Sequence, residues 1–187
     1  MACFNIELPL FPLHLFLLPG GVTRLRLFEP RYLKMIAIAE DGFVILSKAQ
    51  ANDTQQWGSW VEIVNFDQGE DGILEIDVRC KSLVNIISID TNVNHSIEGL
   101  QFIRTHKMSH WSQKKATTDL GKLTDSLVSL VNHHHLLSDL YRDKIPNNPY
   151  WVVARWLELL PIPLEVKHLF VSPTSYVEAK RLIHSII

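Results

Sequence analysis

"ELPLFPLHLFLLPGG", residues 7–21, is the most apolar stretch of the chain and decides how the rest is read. A secretion signal calls for a basic start, an unbroken apolar run and a small-residue cleavage site. Here Glu7 precedes the run, no Lys or Arg does, and Pro9, Pro12, Pro19 and His14 interrupt it. A membrane-spanning helix needs about 20 apolar residues and tolerates interior proline poorly. The stretch therefore belongs to a folded core. Proline and the residue before it avoid helix, so short strands are expected over 4–8 and 13–18. The turn Pro19-Gly20-Gly21 leads to a third strand over 22–28.

The chain has 187 residues, 47% hydrophobic and 20% charged, which is the profile of a soluble globular protein with room for one domain or two small ones. Its formal net charge of −2 supplies no pull towards nucleic acid or an anionic membrane. Two cysteines, Cys3 and Cys80, are too few for a disulfide framework or a thiolate zinc site. They are expected as reduced thiols in a cytoplasmic protein.

Downstream, "FEPRYLKMIAIAED" (28–41) reads as a helix. Pro30 suits the first turn and places Glu29 at the amino end, where the helix dipole favours a carboxylate. Tyr32, Leu33 and Ile36 are expected to face inward and Lys34 to stay in water. Arg31 is either a peptide-binding cation or a structural partner. Its five donors, fixed between Pro30 and Tyr32, favour structure. Strands follow over 43–48 and 58–67, then a hairpin around Gly72. In "LEIDVRC" (74–80), Leu74, Ile76, Val78 and Cys80 alternate with Glu75, Asp77 and Arg79, which predicts one buried and one wet face. Segments 83–89 and 98–104 bring the total to about eight strands, a density that suggests a closed or partly closed barrel.

Beyond residue 108 the periodicity turns helical. Leu120, Leu123, Leu127, Leu130, Val131, Leu137 and Tyr141 recur at three- and four-residue steps, predicting one long amphipathic helix. Asn148-Pro149 starts a second, with Val153, Leu157 and Leu160 on one face; Pro161 and Pro163 end it and open a short third. Ser175 and Glu178 form a capping-box pattern for the last. The expected organisation is α+β, with a β-rich domain over 1–108 and a helical bundle over 109–187.

Chemistry-bearing motifs are sparse. His133-His134-His135 point in three directions on a helix, whereas a metal wants ligands three or four apart on one face; a solvated face explains them better, and no metal or cofactor is expected. Ser112 and Lys115 match S-x-x-K, but the companion motifs are missing and the segment reads as polar linker. Asp67, Glu70 and Asp71 crowd a turn, where carboxylates serve solubility. No nucleophile elbow, phosphate loop or dinucleotide fingerprint is present. Trp57 beside a polar loop, and Trp151 beside Arg155, are candidate peptide-binding residues, since exposed aromatics and Arg are enriched at interfaces. The alternative is that neighbouring elements cover them. Residues 106–115, with Trp111 among basic side chains, carry a weak nucleic-acid signal that a solvated linker explains more simply.

The opening stretch also carries a resemblance. "LPLFPLHLFLLPGGVTRLRLFEPRYLKMI" (8–36) closely resembles the start of the substrate-binding domain of Lon-type ATP-dependent proteases. Pro9 and Pro12, the turn Pro19-Gly20, and Glu29, Pro30, Arg31 and Tyr32 match that family's pattern in order and spacing. "ARWLELLPIPLEVKHLF" (154–170) looks like its helical carboxyl-terminal signature. One departure is Cys80, where many relatives carry glycine. The resemblance implies a PUA-like pseudo-barrel followed by a helical bundle, recognition of unfolded or tagged polypeptides, and an adaptor role towards a protease. No catalytic residue carries over, because the ATPase and Ser-Lys protease modules of full-length Lon do not appear. The expectation is a stand-alone, non-enzymatic module. An RNA-binding PUA-like module is the alternative, on analogy of fold, and a small hydrolase would require a deep polar pocket.

Overall fold

Two prolines shape the first strand, β1 (Ile6–Pro12), in the computed structural model, which describes residues 5–47, 50, 53, 55–90, 97–143 and 145–187. Phe4, Lys48 and Cys3 lie outside these residues. β1 pairs in parallel with β3 (Phe43–Leu46), Leu10 opposite Val44. On its other side it runs antiparallel to β6 (Phe102–Met108), Leu8 opposite Ile103. Pro12, which has no N–H to give, ends the strand.

β2 (Val22–Leu27) precedes α1 (Pro30–Ile38); β4 (Trp57–Gln68) and β5 (Leu74–Asp90) form the hairpin expected at Gly72. The sheet order is β2-β5-β4-β3-β1-β6, and β5 also pairs with β6. Strands β5, β4, β3, β1 and β6 therefore close into a ring, with β2 added alongside β5. Closure depends on the length of β5, which pairs with β4 through Leu74–Asn85 and with β6 through Leu83–Asp90. Irregularities between Trp60 and Val61, Ile63 and Asn65, and Ile86 and Ser88 bend the strands, as bulges do.

Among the described residues six strands replace the eight expected. Residues 74–80 and 83–89 are one continuous strand, because buried Ser82 stays in the ladder opposite Trp60 and its hydroxyl donates to the Leu83 carbonyl, with the Met108 carbonyl also in reach. The strand expected over 13–18 is absent, and that over 98–104 is displaced to Phe102–Met108. Leu8, Leu10, Val44, Leu46, Val84 and Ile103 form one core cluster, each burial worth about 1.5–3 kcal/mol. Ile76, Val78 and Cys80 are buried as their alternation predicts. Asp77, expected wet, is also buried: Arg24 of β2 pairs with it, Nε–Oδ1 2.7 Å. On α1 the inward residues are Tyr32 and Met35, with Ala39 buried just past its end; of the others expected inward, Ile36 is half-buried and Leu33 is 41% exposed, while Lys34 is wet.

The chain divides into two compact units, one of residues up to Leu15 with Thr23–Met108, the other of Phe16–Val22 with Ser109–Ile187. The second contains α2 (Lys122–His133), α3 (His135–Leu140), α4 (Pro149–Leu159), α5 (Leu164–His168) and α6 (Tyr176–Ile186). The single long helix expected after residue 120 breaks at His134, whose backbone is extended and whose side chain caps α3 by accepting from Leu137 N–H. Asn148 caps α4 as expected, accepting from Tyr150 N–H. Ser175 precedes α6 without capping it. Its hydroxyl instead donates to the Ser172 carbonyl at 2.7 Å, with the Phe170 carbonyl also in reach at 3.0 Å, and accepts from Trp111 Nε1. Trp111 is fully buried, so residues 110–112 are core and not solvated linker.

Candidate polypeptide-binding site

The "FEPRY" segment builds one wall of a pocket in the first unit. Its cavity measures about 210 Å³ and is lined by Phe11, Pro12 and Leu13 from the end of β1, Arg26, Leu27 and Phe28 from the end of β2, and Glu29, Arg31 and Tyr32. Alternation along β2 explains the lining. Leu25 and Leu27 turn inward, so Arg26 and Phe28 turn outward, and Phe28 is 69% exposed. Phe11 and Tyr32 are buried and meet edge to face, ring centroids 4.5 Å apart, which fixes the floor.

Arg31 forms the polar wall. Its Nε and Nη2 lie 3.0 and 2.9 Å from Glu29 Oε2, Nη1 donates to the Gly99 carbonyl at 3.1 Å, and the guanidinium stacks 4.7 Å from the Tyr32 ring centroid. Burial pushes the Tyr32 phenol above its ordinary range, opposed by the neighbouring Arg31 charge. Pro30 opens α1, Pro12 lines the pocket, and Pro9 is buried in β1 opposite Phe102.

A different arrangement holds the Pro19-Gly20 turn. Arg155 of α4 donates to the Leu18 and Pro19 carbonyls, while Glu158 accepts from Leu18 N–H at 2.6 Å. Gly20 has φ +85°, and a methyl group there would stand 3.0 Å from Arg155 Nη1 and 3.2 Å from Trp151. Phe16, Leu17 and Leu18 are buried beside this network. Side chains satisfy the backbone at Leu18 and Pro19, the end of the expected strand, while Leu13 N–H donates to the Leu46 carbonyl and Leu15 N–H to the Leu13 carbonyl.

The family's profile, described as the ATP-dependent protease La (LON) substrate-binding domain, matches residues 7–169. The chain belongs to the Lon substrate-binding domain family. Among solved structures, it resembles a Lon N-terminal domain protein from Xanthomonas campestris at 26% identity and a TM-score of 0.61, covering 92% of this chain and 95% of that one. The N-terminal domain of the Mycobacterium avium complex Lon protease shares the fold at 12% identity and a TM-score of 0.60, covering 95% and 96%. Comparison with curated proteins finds no significant match.

Within this Lon-family fold the expected contact residues separate. Arg155, read as an exposed cation, is 1% exposed and paired with Glu158, so its guanidinium serves the turn and not the surface. Trp151 is half-buried, edge-on to Tyr141 at 5.6 Å and 5.1 Å from the Arg155 guanidinium. Trp57 is also half-buried and begins β4, where its backbone exchanges hydrogen bonds with the Gln50 side chain. Neither lines the FEPRY pocket. Phe28 was missed, although the outward series Arg24, Arg26, Phe28 is readable from the alternation.

Ser112 and His110 do come together, Oγ to Nδ1 2.8 Å, but both are buried and His110 Nε2 lies 2.9 Å from the Phe170 carbonyl. Lys115, the other half of the S-x-x-K pattern, is exposed. With Gln113 returning to the His110 N–H, the group is a capping box on the 3₁₀ turn Trp111–Gln113. His133, His134 and His135 are exposed, and among the described residues no group of three His, Cys, Asp or Glu is placed to hold a metal ion.

Proposed function

We propose that this protein is a non-enzymatic polypeptide-binding module that recognises unfolded or tagged clients and delivers them to a protease. The family match over residues 7–169, to a domain described by substrate binding, carries the reading. A pocket of mixed polar and apolar lining in the first unit, with exposed Phe28 among its lining residues, supports it. Half-buried Trp57 and Trp151 are secondary contact candidates. We place it in the cytoplasm, a setting that suits a chain with only two cysteines. Neither the net charge of −2 nor the family match favours the RNA-binding alternative.

Pulldown with chemically unfolded client proteins tests the proposal. Enrichment over a folded control of similar size is expected. Equal recovery of both would overturn it.

A further inference from the structure

Phe28 is the most exposed large apolar side chain among the described residues, and it stands over the FEPRY pocket. Buried Phe11, Leu27 and Tyr32 line the same pocket, with half-buried Leu13. A ligand group seated against Phe28 removes its exposed apolar surface from water. Cavity size limits that group. At about 210 Å³ the pocket falls below the roughly 300–1,000 Å³ of sites that enclose a cofactor or drug-sized molecule. It suits a single side chain.

The polar wall limits it further. Glu29 and Arg31 form a neutral pair, offering carboxylate acceptors and guanidinium donors side by side. A peptide group, with one N–H and one C=O, complements such a pair. Arg26, the remaining charge, is already bound to Asp71 and Glu75. An incoming charged side chain would lose hydration without meeting a net opposite charge.

We infer that the FEPRY pocket is an anchor subsite for one large, uncharged apolar side chain of an extended polypeptide, with Glu29 and Arg31 holding the main chain beside it. The inference rests on the polypeptide-binding reading and gives it a place and a chemistry.

Single-residue probes test it directly. In an NMR titration of the whole protein, N-acetyl-leucine methylamide shifts the signals of Leu13, Leu27, Phe28 and Tyr32, whereas the glycine and aspartate methylamides do not. In parallel, Phe28→Asp weakens capture of an unfolded, carboxymethylated client about tenfold without changing the melting temperature, while Phe66→Asp and Leu169→Asp stay within about twofold. Phe66 and Leu169 are exposed to similar degrees, at 59% and 68%, which makes them fair controls. Leucine shifts gathering at Phe66 or Leu169, or a Phe28→Asp variant that captures client like wild type, would overturn the assignment. So would self-association that Phe28→Asp abolishes, which would make a second copy the occupant. If wild type captures no unfolded client, the broader reading falls, while the methylamide titration still judges the pocket.

Discussion

Arg155 and Glu158, one helical turn apart on α4, form a two-point ion pair with Nε–Oε2 at 2.7 Å and Nη2–Oε1 at 2.8 Å. Their side chains are 1% and 7% exposed. The pair faces a turn some 135 residues earlier in the chain, and each partner also bonds that turn's backbone. Burial pushes the Glu158 carboxyl above its ordinary range, opposed by Arg155, the Leu18 amide and Lys167. Both sequence signatures of the family, the Pro-Gly turn and the Ala-Arg-Trp-Leu-Glu helix, thus meet in one polar lock.

Removing either partner leaves the other charge buried alone. Arg155→Ala and Glu158→Ala are each expected to destabilise the protein by about 3–5 kcal/mol. An apolar double replacement, Arg155→Met with Glu158→Leu, should cost less than the sum of the single changes. Urea unfolding measures all of them. A single variant within about 0.5 kcal/mol of wild type would mean that the pair contributes little.

Gly42 ends the turn after α1 with φ +86°, in the region L side chains avoid. A methyl group there would collide with the Val61 carbonyl oxygen, a backbone atom that a rotamer change cannot move. Gly42→Ala should therefore destabilise by more than the typical value of about 1 kcal/mol, through strain and displacement of β4 from β3. Chemical denaturation checks this. A wild-type midpoint would show that the turn adapts freely.

Local signals were legible where the sequence itself holds the cause. The alternation of Ile76, Val78 and Cys80, Pro30 opening a helix, and the Gly72 hairpin each follow from backbone rules acting within a few residues. Readings failed where distant groups decide. Nothing near Leu18 reveals that Arg155 and Glu158 will satisfy its backbone. Asp77 reads as wet until Arg24 covers it. His110 and Trp111 read as linker until Phe170 accepts both of their ring N–H groups. The pocket lies between these cases: the motif residues were visible, but Phe28's exposure follows only when the alternation is applied to the last residue of the strand expected over 22–28.

Cys80 is 1% exposed, and its thiol lies 3.4 Å from the Ser82 carbonyl. In a Cys3→Ser background, a thiol reagent should react with native protein orders of magnitude more slowly than with urea-unfolded protein. Comparable rates in the two states would place Cys80 outside the core.

His110 makes stability depend on acid. Burial, helped by repulsion from Arg155, pushes its pKa down from 6.5 to about 4, against the raising effect of the Phe170 carbonyl. The ring is therefore neutral in the folded protein, with Nε2–H donating to Phe170 and Nδ1 accepting from Ser112. In the unfolded chain the same ring takes a proton near pH 6.5. Between pH 6.5 and about 4 the unfolded state thus binds more protons, so acid favours unfolding. The His110 contribution is complete above pH 6.5, declines as pH falls, and levels off below about 4. A shift of this size corresponds to a loss of about 3 kcal/mol across the window. Ring signals followed by NMR should show His110 still neutral at pH 5, and urea midpoints should fall between pH 7 and 4.5. If the folded ring titrates near 6.5, burial does not hold it neutral and the acid sensitivity has another source.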